Sequence, residues 1–205
     1  EDFFWRKKYS CVLKWNFKEP RIEWFKDGLL NITENIFERQ VFTLNDQPAI
    51  IWEPNDPNEA TVQWTYGELF EKVKQFSNVL ISKGIQKGDR VAIYMPMIPE
   101  LAVAMLACAR IGAVHSIVFA GFSSTALADR IIDAEAKMVI TSDGSYRGSK
   151  QISIKPLIDE AVEKCPSVET IIVKKRTGTP VTMRAGRDFG GTSSLPVHRS
   201  IMWPL

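Results

Sequence analysis

The sequence has no CxxC pair, and its three cysteines, Cys11, Cys108 and Cys165, are odd in number and widely spaced. That pattern supports neither a disulfide framework nor a zinc site, and a reducing cytoplasm is its simplest setting. An excess of charge is also missing. Twenty-six basic residues against 24 acidic ones leave a net charge of +2, which argues against the concentrated basic face of a nucleic-acid binder. The first ten residues carry Glu1, Asp2, Arg6, Lys7 and Lys8 and no apolar stretch, so no secretory signal is read there. Asn31-Ile32-Thr33 therefore has the form of a glycosylation acceptor without the route to become one. Long apolar runs are absent as well. The most apolar stretch, Leu101 to Phe122, contains Arg110, Gly112 and His115. These are costly or disruptive in a bilayer, so a helix and a buried strand are expected rather than a membrane span. No internal repeat is present.

What is present changes character along the chain. Residues 1–45 are rich in aromatics (Phe3, Phe4, Trp5, Trp15, Phe17, Trp24, Phe25) with little periodicity. A short helix, a turn at Lys26-Asp27-Gly28 and a helix from about Thr33 to Val41 are predicted there, wrapped on a larger body that gives the aromatics a partner surface. From Pro48 onward strands and helices alternate. Ala49–Trp52 and Thr61–Trp64 read as short strands with a loop at Pro54–Pro57. Thr65-Tyr-Gly-Glu68 is a capping box opening a helix with Leu69, Val73, Phe76, Val79 and Leu80 on one face. Strands follow at Val91–Tyr94, Val114–Phe119, Lys137–Thr141 and Thr170–Val173. Helices fall between them, from Pro99 to near Gly112, from Ser123 or Ser124 to about Ala134, and from Lys155 to Lys164. This order predicts an α/β fold, a mostly parallel sheet with helices on both faces. Ligands of such folds sit off the carboxyl ends of the strands, which draws attention to the loops after Tyr94, Phe119 and Thr141.

Few residues announce chemistry by themselves. Gly144 to Lys150 is not a phosphate loop, because three residues separate Gly144 from Gly148 and Ser149 interrupts the Gly-Lys pair. On its residues alone it reads as an exposed turn with a solvated Arg and Lys. His115 reads as a hydrogen-bonded structural histidine. Met95, Met97 and Met105 read as core filler, and Trp52 and Trp64 as cross-strand packing. Asp129 and Asp143 are lone carboxylates with no catalytic case.

Three segments carry a resemblance. They are Asp89-Arg-Val-Ala-Ile-Tyr-Met-Pro-Met-Ile-Pro-Glu100, Ala107 to Ser123, and Ile140-Thr-Ser-Asp-Gly-Ser-Tyr-Arg-Gly-Ser-Lys150 followed by Ile154-Lys155. With Ile22-Glu-Trp-Phe-Lys-Asp-Gly-Leu-Leu-Asn31 and Gln63-Trp-Thr-Tyr66, they make the chain resemble acetyl-CoA synthetase, the AMP-forming acetate–CoA ligase family of adenylate-forming enzymes, roughly as far as Asp188. The second segment is the most specific.

The resemblance implies residues 1–45 as the family's N-terminal extension and 46–188 as the first part of its AMP-binding domain. It implies a reaction in which acetate and ATP give acetyl-AMP and pyrophosphate with Mg2+, after which CoA displaces AMP. Its partners are these small molecules, with no nucleic acid and no membrane. It implies a CoA site at Arg147, Gly148, Ser149 and Lys150, with Phe119 and Gly121 beside it. The chemistry of those residue types is apt. A guanidinium stacks on a purine and still donates hydrogen bonds, glycines admit close backbone approach, and a lysine meets phosphate as a point charge. The family usually has Arg where Lys150 stands and Gly where Ala120 stands. Lysine keeps the charge but loses bidentate geometry, and Ala120 adds a methyl group.

The family's Ser/Thr/Gly-rich phosphate loop and its C-terminal domain with the adenylation lysine are not among these residues, so no ATP site, metal site or catalytic residue is expected here and the chain alone is expected to be inactive. From Phe189 the resemblance ends. One added T in a TTT-GGT-GGC-ACN coding of Phe189–Thr192 would read Phe-Trp-Trp-His, as the family continues, so 189–205 is expected to be a non-native tail. The competing expectations are a non-catalytic CoA- or nucleotide-binding module and a truncated product without function.

Overall fold

A computed structural model describes residues 3–56 and 58–190. The aromatic-rich start forms strands, not the expected short helix. β1 (Cys11–Asn16) and β2 (Arg21–Lys26) pair antiparallel, with Leu13 opposite Trp24 and Trp15 opposite Ile22. Alternation at period two puts these four apolar side chains on one face and Lys14, Glu23, Asn16 and Arg21 on the other, a pattern a pleated ribbon satisfies and a helix does not. The turn at Lys26–Gly28 is where it was expected. The helix beyond it is divided into α1 (Ile32–Ile36) and α2 (Val41–Leu44). Tertiary packing accounts for the break, because Phe37 at the end of α1 stacks on Phe70 at 4.9 Å between centroids. Asn31 caps α1, accepting from Thr33 N (2.9 Å) while its Nδ2 donates to Arg110 O (2.9 Å). Trp5, Tyr9 and Phe25 cluster with one another, whereas Trp15, Phe17 and Trp24 stay 58–74% exposed.

β3 (Pro48–Trp52) and β4 (Val62–Thr65) form an antiparallel pair that leads into α3 (Tyr66–Ser82). The capping box is formed as expected. Glu68 N donates to Thr65 Oγ1 (3.2 Å) and Thr65 N donates to Glu68 Oε2 (2.8 Å). Thr65→Ala is expected to lower stability by about 1 kcal/mol, read from urea unfolding.

The larger body then unfolds in chain order as β5 (Arg90–Tyr94), α4 (Pro99–Ile111), β6 (Val114–Ile117), α5 (Ser124–Ala134), β7 (Met138–Ser142), β8 (Gly144–Arg147), β9 (Lys150–Ser153), α6 (Lys155–Val162), β10 (Thr170–Lys174) and β11 (Asp188–Gly190). Five of these strands make a sheet in the order β11-β10-β7-β5-β6 with every neighbouring pair parallel. β5, β7 and β10 are almost wholly buried, which is why they read as continuous apolar runs rather than alternating ones. Alternate residues serve two cores. Val91, Ile93, Met138, Ile140 and Ile172 pack under α3 and α4. Ala92, Tyr94, Val139, Ile171 and Val173 pack under α5 and α6 on the other face.

Other expectations are corrected at the edges. β6 is an edge strand that ends at Ile117, and Val114 and Ile117 are exposed, so this is not the buried strand expected through Phe119. Met95 is core, but Met97 is 76% exposed and fills nothing. Trp52 and Trp64 do pack across the β3–β4 pair as expected, each on a residue of the opposite strand. Trp64 faces Ile50, Trp52 faces Val62, and Trp52 Nε1 donates to Met97 O (2.8 Å). Phe189 and Gly190, set apart above as tail, complete β11, with Phe189 under the Lys83 ammonium. Residues 191–205 lie outside the described residues.

All three cysteines are free. Burial on the core-facing side of α4 pushes the Cys108 thiol up to about 12, and burial with Asp129 nearby also raises Cys165. Cys11 is exposed. Ellman's reagent is therefore expected to titrate one thiol in the folded chain and three in guanidinium.

Candidate functional site

The sheet brings the carboxyl ends of β5, β6 and β7 side by side. The connection after β5 runs to α4 on one face, while that after its neighbour β7 runs to α6 on the other. Neighbouring strands whose chains leave to opposite faces open a crevice between them. Three contacts lock the loops at this end. Tyr94 OH donates to Phe122 O (2.8 Å), Thr141 Oγ1 donates to Tyr94 O (2.9 Å), and Val118 N donates to Ile93 O (2.8 Å). Burial raises the Tyr94 hydroxyl above the usual tyrosine range, which keeps it a donor.

Arg147, Gly148, Ser149 and Lys150 form the tip of the antiparallel β8–β9 hairpin. Arg147 and Lys150 are the last paired residues and Gly148–Ser149 the two-residue turn. Gly148 has φ 60° and Ser149 does not have a positive φ. This matches the II′ turn that suits the twist of a hairpin, which calls for glycine at the first central position. All four residues are exposed, and among the described residues neither Arg147 nor Lys150 has a carboxylate partner. The tip thus presents two cations on adjacent strands with nothing neutralising them, a donor set that fits phosphate.

Phe119 and Gly121 lie at the same end of the sheet but after β6, two strand spacings (roughly 10 Å) from β7. Gly121 N donates to Phe119 O (2.7 Å), and a Cβ at Gly121 would lie 2.7 Å from the Phe119 ring, which is 70% exposed. No hydrogen bond, ion pair or ring contact joins this turn to the Arg147–Lys150 tip among the described residues.

Two buried charged groups went unrecognised in the sequence. The Asp143 carboxylate is buried at the end of β7 and accepts from four backbone N–H groups: Gly144 (2.8 Å), Arg176 (2.7 Å) and Thr177 (3.0 Å) on Oδ1, and Gly178 (2.7 Å) on Oδ2. It is a loop anchor, not a base. Lys155 is fully buried and donates to Asp159 and Asp188, while Arg187 reaches the same two carboxylates. The i,i+4 spacing of Lys155 and Asp159 was the one available signal. His115 departs from the hydrogen-bonded histidine expected, because its Nδ1 is buried without a partner among the described residues. No group of three or more His, Cys, Asp or Glu among the described residues is placed to hold a metal ion. No helix among them is long and apolar enough to cross a membrane.

Comparison with known proteins agrees with this architecture. The family model for AMP-binding enzymes matches residues 37–193, and that for the acetyl-coenzyme A synthetase N-terminus matches residues 1–36. The chain is 49% identical to acetyl-coenzyme A synthetase of Novosphingobium aromaticivorans over 90% of its own length and 29% of the relative's. To that of Desulfatibacillum aliphaticivorans it is 53% identical, with the same coverage. Among solved structures, acetoacetyl-CoA synthetase from Streptomyces lividans superposes with a TM-score of 0.81 at 27% identity, covering 91% of this chain and 28% of that one. The chain thus spans under a third of the length of these relatives and aligns with their N-terminal portion. With a matching model over more than half its length and the sheet such enzymes share, the chain belongs to the AMP-binding enzyme family.

Proposed function

We propose that this chain is the N-terminal part of an acetate–CoA ligase that converts acetate, ATP and CoA to acetyl-CoA, AMP and pyrophosphate through acetyl-AMP, and that its share of the work is to receive the nucleotide end of CoA. Relatives named acetyl-coenzyme A synthetase at about half identity support the reaction. The observation that carries the site is the cation pair without carboxylate partners among the described residues, Arg147 and Lys150, raised on a two-residue turn at the ligand end of a parallel sheet. Arg147 supplies a flat cation for adenine or phosphate, Lys150 a point charge for phosphate, and Gly148 and Ser149 backbone N–H groups at close range. Phe119 and Gly121 border the same end of the sheet.

Neither ATP nor Mg2+ is assigned residues among those described, and the 205-residue chain by itself is expected to form no acetyl-CoA. Residues 1–45 serve as the family's extension and 46–188 as the first part of the AMP-binding domain. Three free cysteines suit a reducing cytoplasm.

Calorimetric titration tests the site. CoA is expected to bind more tightly than 3′-dephospho-CoA, and Arg147→Ala or Lys150→Ala each to weaken CoA binding by about tenfold. Equal binding by the variants, or none by the wild-type chain, would overturn the assignment.

A further inference from the structure

The β8–β9 hairpin makes its own two-stranded sheet, and all of β9 is exposed, so its direction must be set by what grips it from the side. The grip comes from residues 176–179, the loop that leaves β10. Asp143 folds this loop down by accepting three of its N–H groups. Thr179 Oγ1 then accepts from Gln151 Nε2 on β9 (2.6 Å) and shares a hydrogen bond with Thr177 (2.6 Å). At Gly144 the approach is so close that a Cβ would collide with Thr177 Oγ1 and lie 2.9 Å from Ile152 O.

Arg176 is the centre of this arrangement. Its guanidinium sits 5.1 Å from the Tyr146 ring on the hairpin and 5.1 Å from the Trp52 ring at the end of β3. Glu59 holds it edge-on through two parallel bonds of 2.6 and 2.7 Å. Trp52 is fixed in turn by its bond to Met97 O in the loop after β5. The planar cation is therefore in cation–π reach of two aromatic rings from different elements, its orientation set by a fork–fork carboxylate pair. Tyr146 immediately precedes Arg147, so a shift of the Tyr146 ring carries the tip with it.

We propose that Arg176 is a positioning residue. By contacting both Trp52 and Tyr146 it holds the β8–β9 hairpin at the angle that presents Arg147 and Lys150 to a ligand's phosphates. The inference rests on the CoA reading above. Lysine at this position keeps the charge and one bond to Glu59 but loses the planar guanidinium, so Arg176→Lys falls between wild type and Arg176→Ala.

The test joins backbone amide exchange, which needs no ligand, to CoA titration of the full 205-residue chain. Arg176→Ala is expected to speed exchange at the hairpin amides 145–152 by about tenfold while those of β5, β7 and β10 hold. It is expected to weaken CoA binding by about tenfold and to bring the preference for CoA over 3′-dephospho-CoA towards unity, with Arg176→Lys recovering roughly half of each effect. Glu59→Gln and Trp52→Phe act on the same contacts from outside the hairpin and give the same ordering if Arg176→Ala fails to fold. Unchanged hairpin exchange in these variants, or a loosened hairpin with CoA affinity and 3′-phosphate preference intact, would overturn this inference alone. Absence of CoA binding by the wild-type chain, with hairpin exchange still dependent on Arg176, would overturn the CoA reading and with it the ligand-directed role, leaving only the structural clamp.

Discussion

Asp188→Ala is expected to destabilise the chain by about 3–5 kcal/mol, measured by urea unfolding at neutral pH. Asp188 is the closed end of a buried charge cluster. Its Oδ2 accepts from Lys155 Nζ (2.8 Å), Arg184 N (2.9 Å) and Arg187 Nη2 (3.1 Å), and its Oδ1 from Arg187 Nε (2.6 Å). Its side chain is fully buried and that of Lys155 nearly so. Removing the carboxylate leaves two cations to share Asp159, which is partly open to solvent. An uncompensated buried charge costs more than the pair was worth. The consequence is local as well as global, because Asp188 begins β11 and lies opposite Ile171 on β10.

The pH dependence has a defined sign. Burial alone would raise the Asp188 carboxyl, but the bonds from Arg187, Lys155 and Arg184 N–H outweigh it and hold the group below the usual carboxylate value of about 3.9. A folded value below the unfolded one means that the group's contribution is complete above the unfolded value and is lost as pH falls through the folded one. The stability gap between wild type and Asp188→Asn is therefore expected to narrow between pH 5 and pH 2.5. A gap that widens on acidification would contradict the assignment.

Asp143→Ala is the second large effect, about 3 kcal/mol. It strips the acceptor from four backbone N–H groups at once, in a place water does not reach freely. Asp143→Asn retains one carbonyl oxygen for the Oδ1 partners but turns an amide donor towards Gly178 N, so about 2 kcal/mol is expected. The two Asp143 variants are also expected to loosen residues 176–179, seen as amide exchange that rises there before it rises in β7. Equal exchange across β7 and the loop would show that Asp143 anchors nothing in particular.

The parallel sheet was legible because its signals are local. β5, β7 and β10 are short apolar runs bounded by turns, and Thr65, Pro99, Gly112 and Ser123 mark helix ends by their own chemistry. The β1–β2 ribbon was legible in principle, since Leu13/Trp15 and Ile22/Trp24 alternate with charged residues. The density of aromatics hid the period. The β8–β9 hairpin has no apolar alternation to reveal it, because β9 is solvent-facing throughout and only the Gly148 turn marks it. The supports of the candidate site were illegible for a different reason. Asp143 meets backbone groups 33 to 35 residues away, and Arg176 meets Glu59 across 117. Neither separation follows any helical or strand period. Arg147 to Lys150 were singled out through family resemblance, while the residues packed around their hairpin needed the fold.

The most direct test of the account is a two-dimensional amide spectrum of the 15N-labelled chain titrated with CoA. The largest shifts are expected at Arg147–Lys150, with smaller ones at Phe119–Gly121, and the 147–150 shifts should fade when 3′-dephospho-CoA replaces CoA. Saturable shifts confined elsewhere, such as the groove lined by Lys74, Asn78, Lys87 and Arg110 between α3 and α4, or no shifts at millimolar CoA, would contradict the proposal that this chain receives the nucleotide end of CoA.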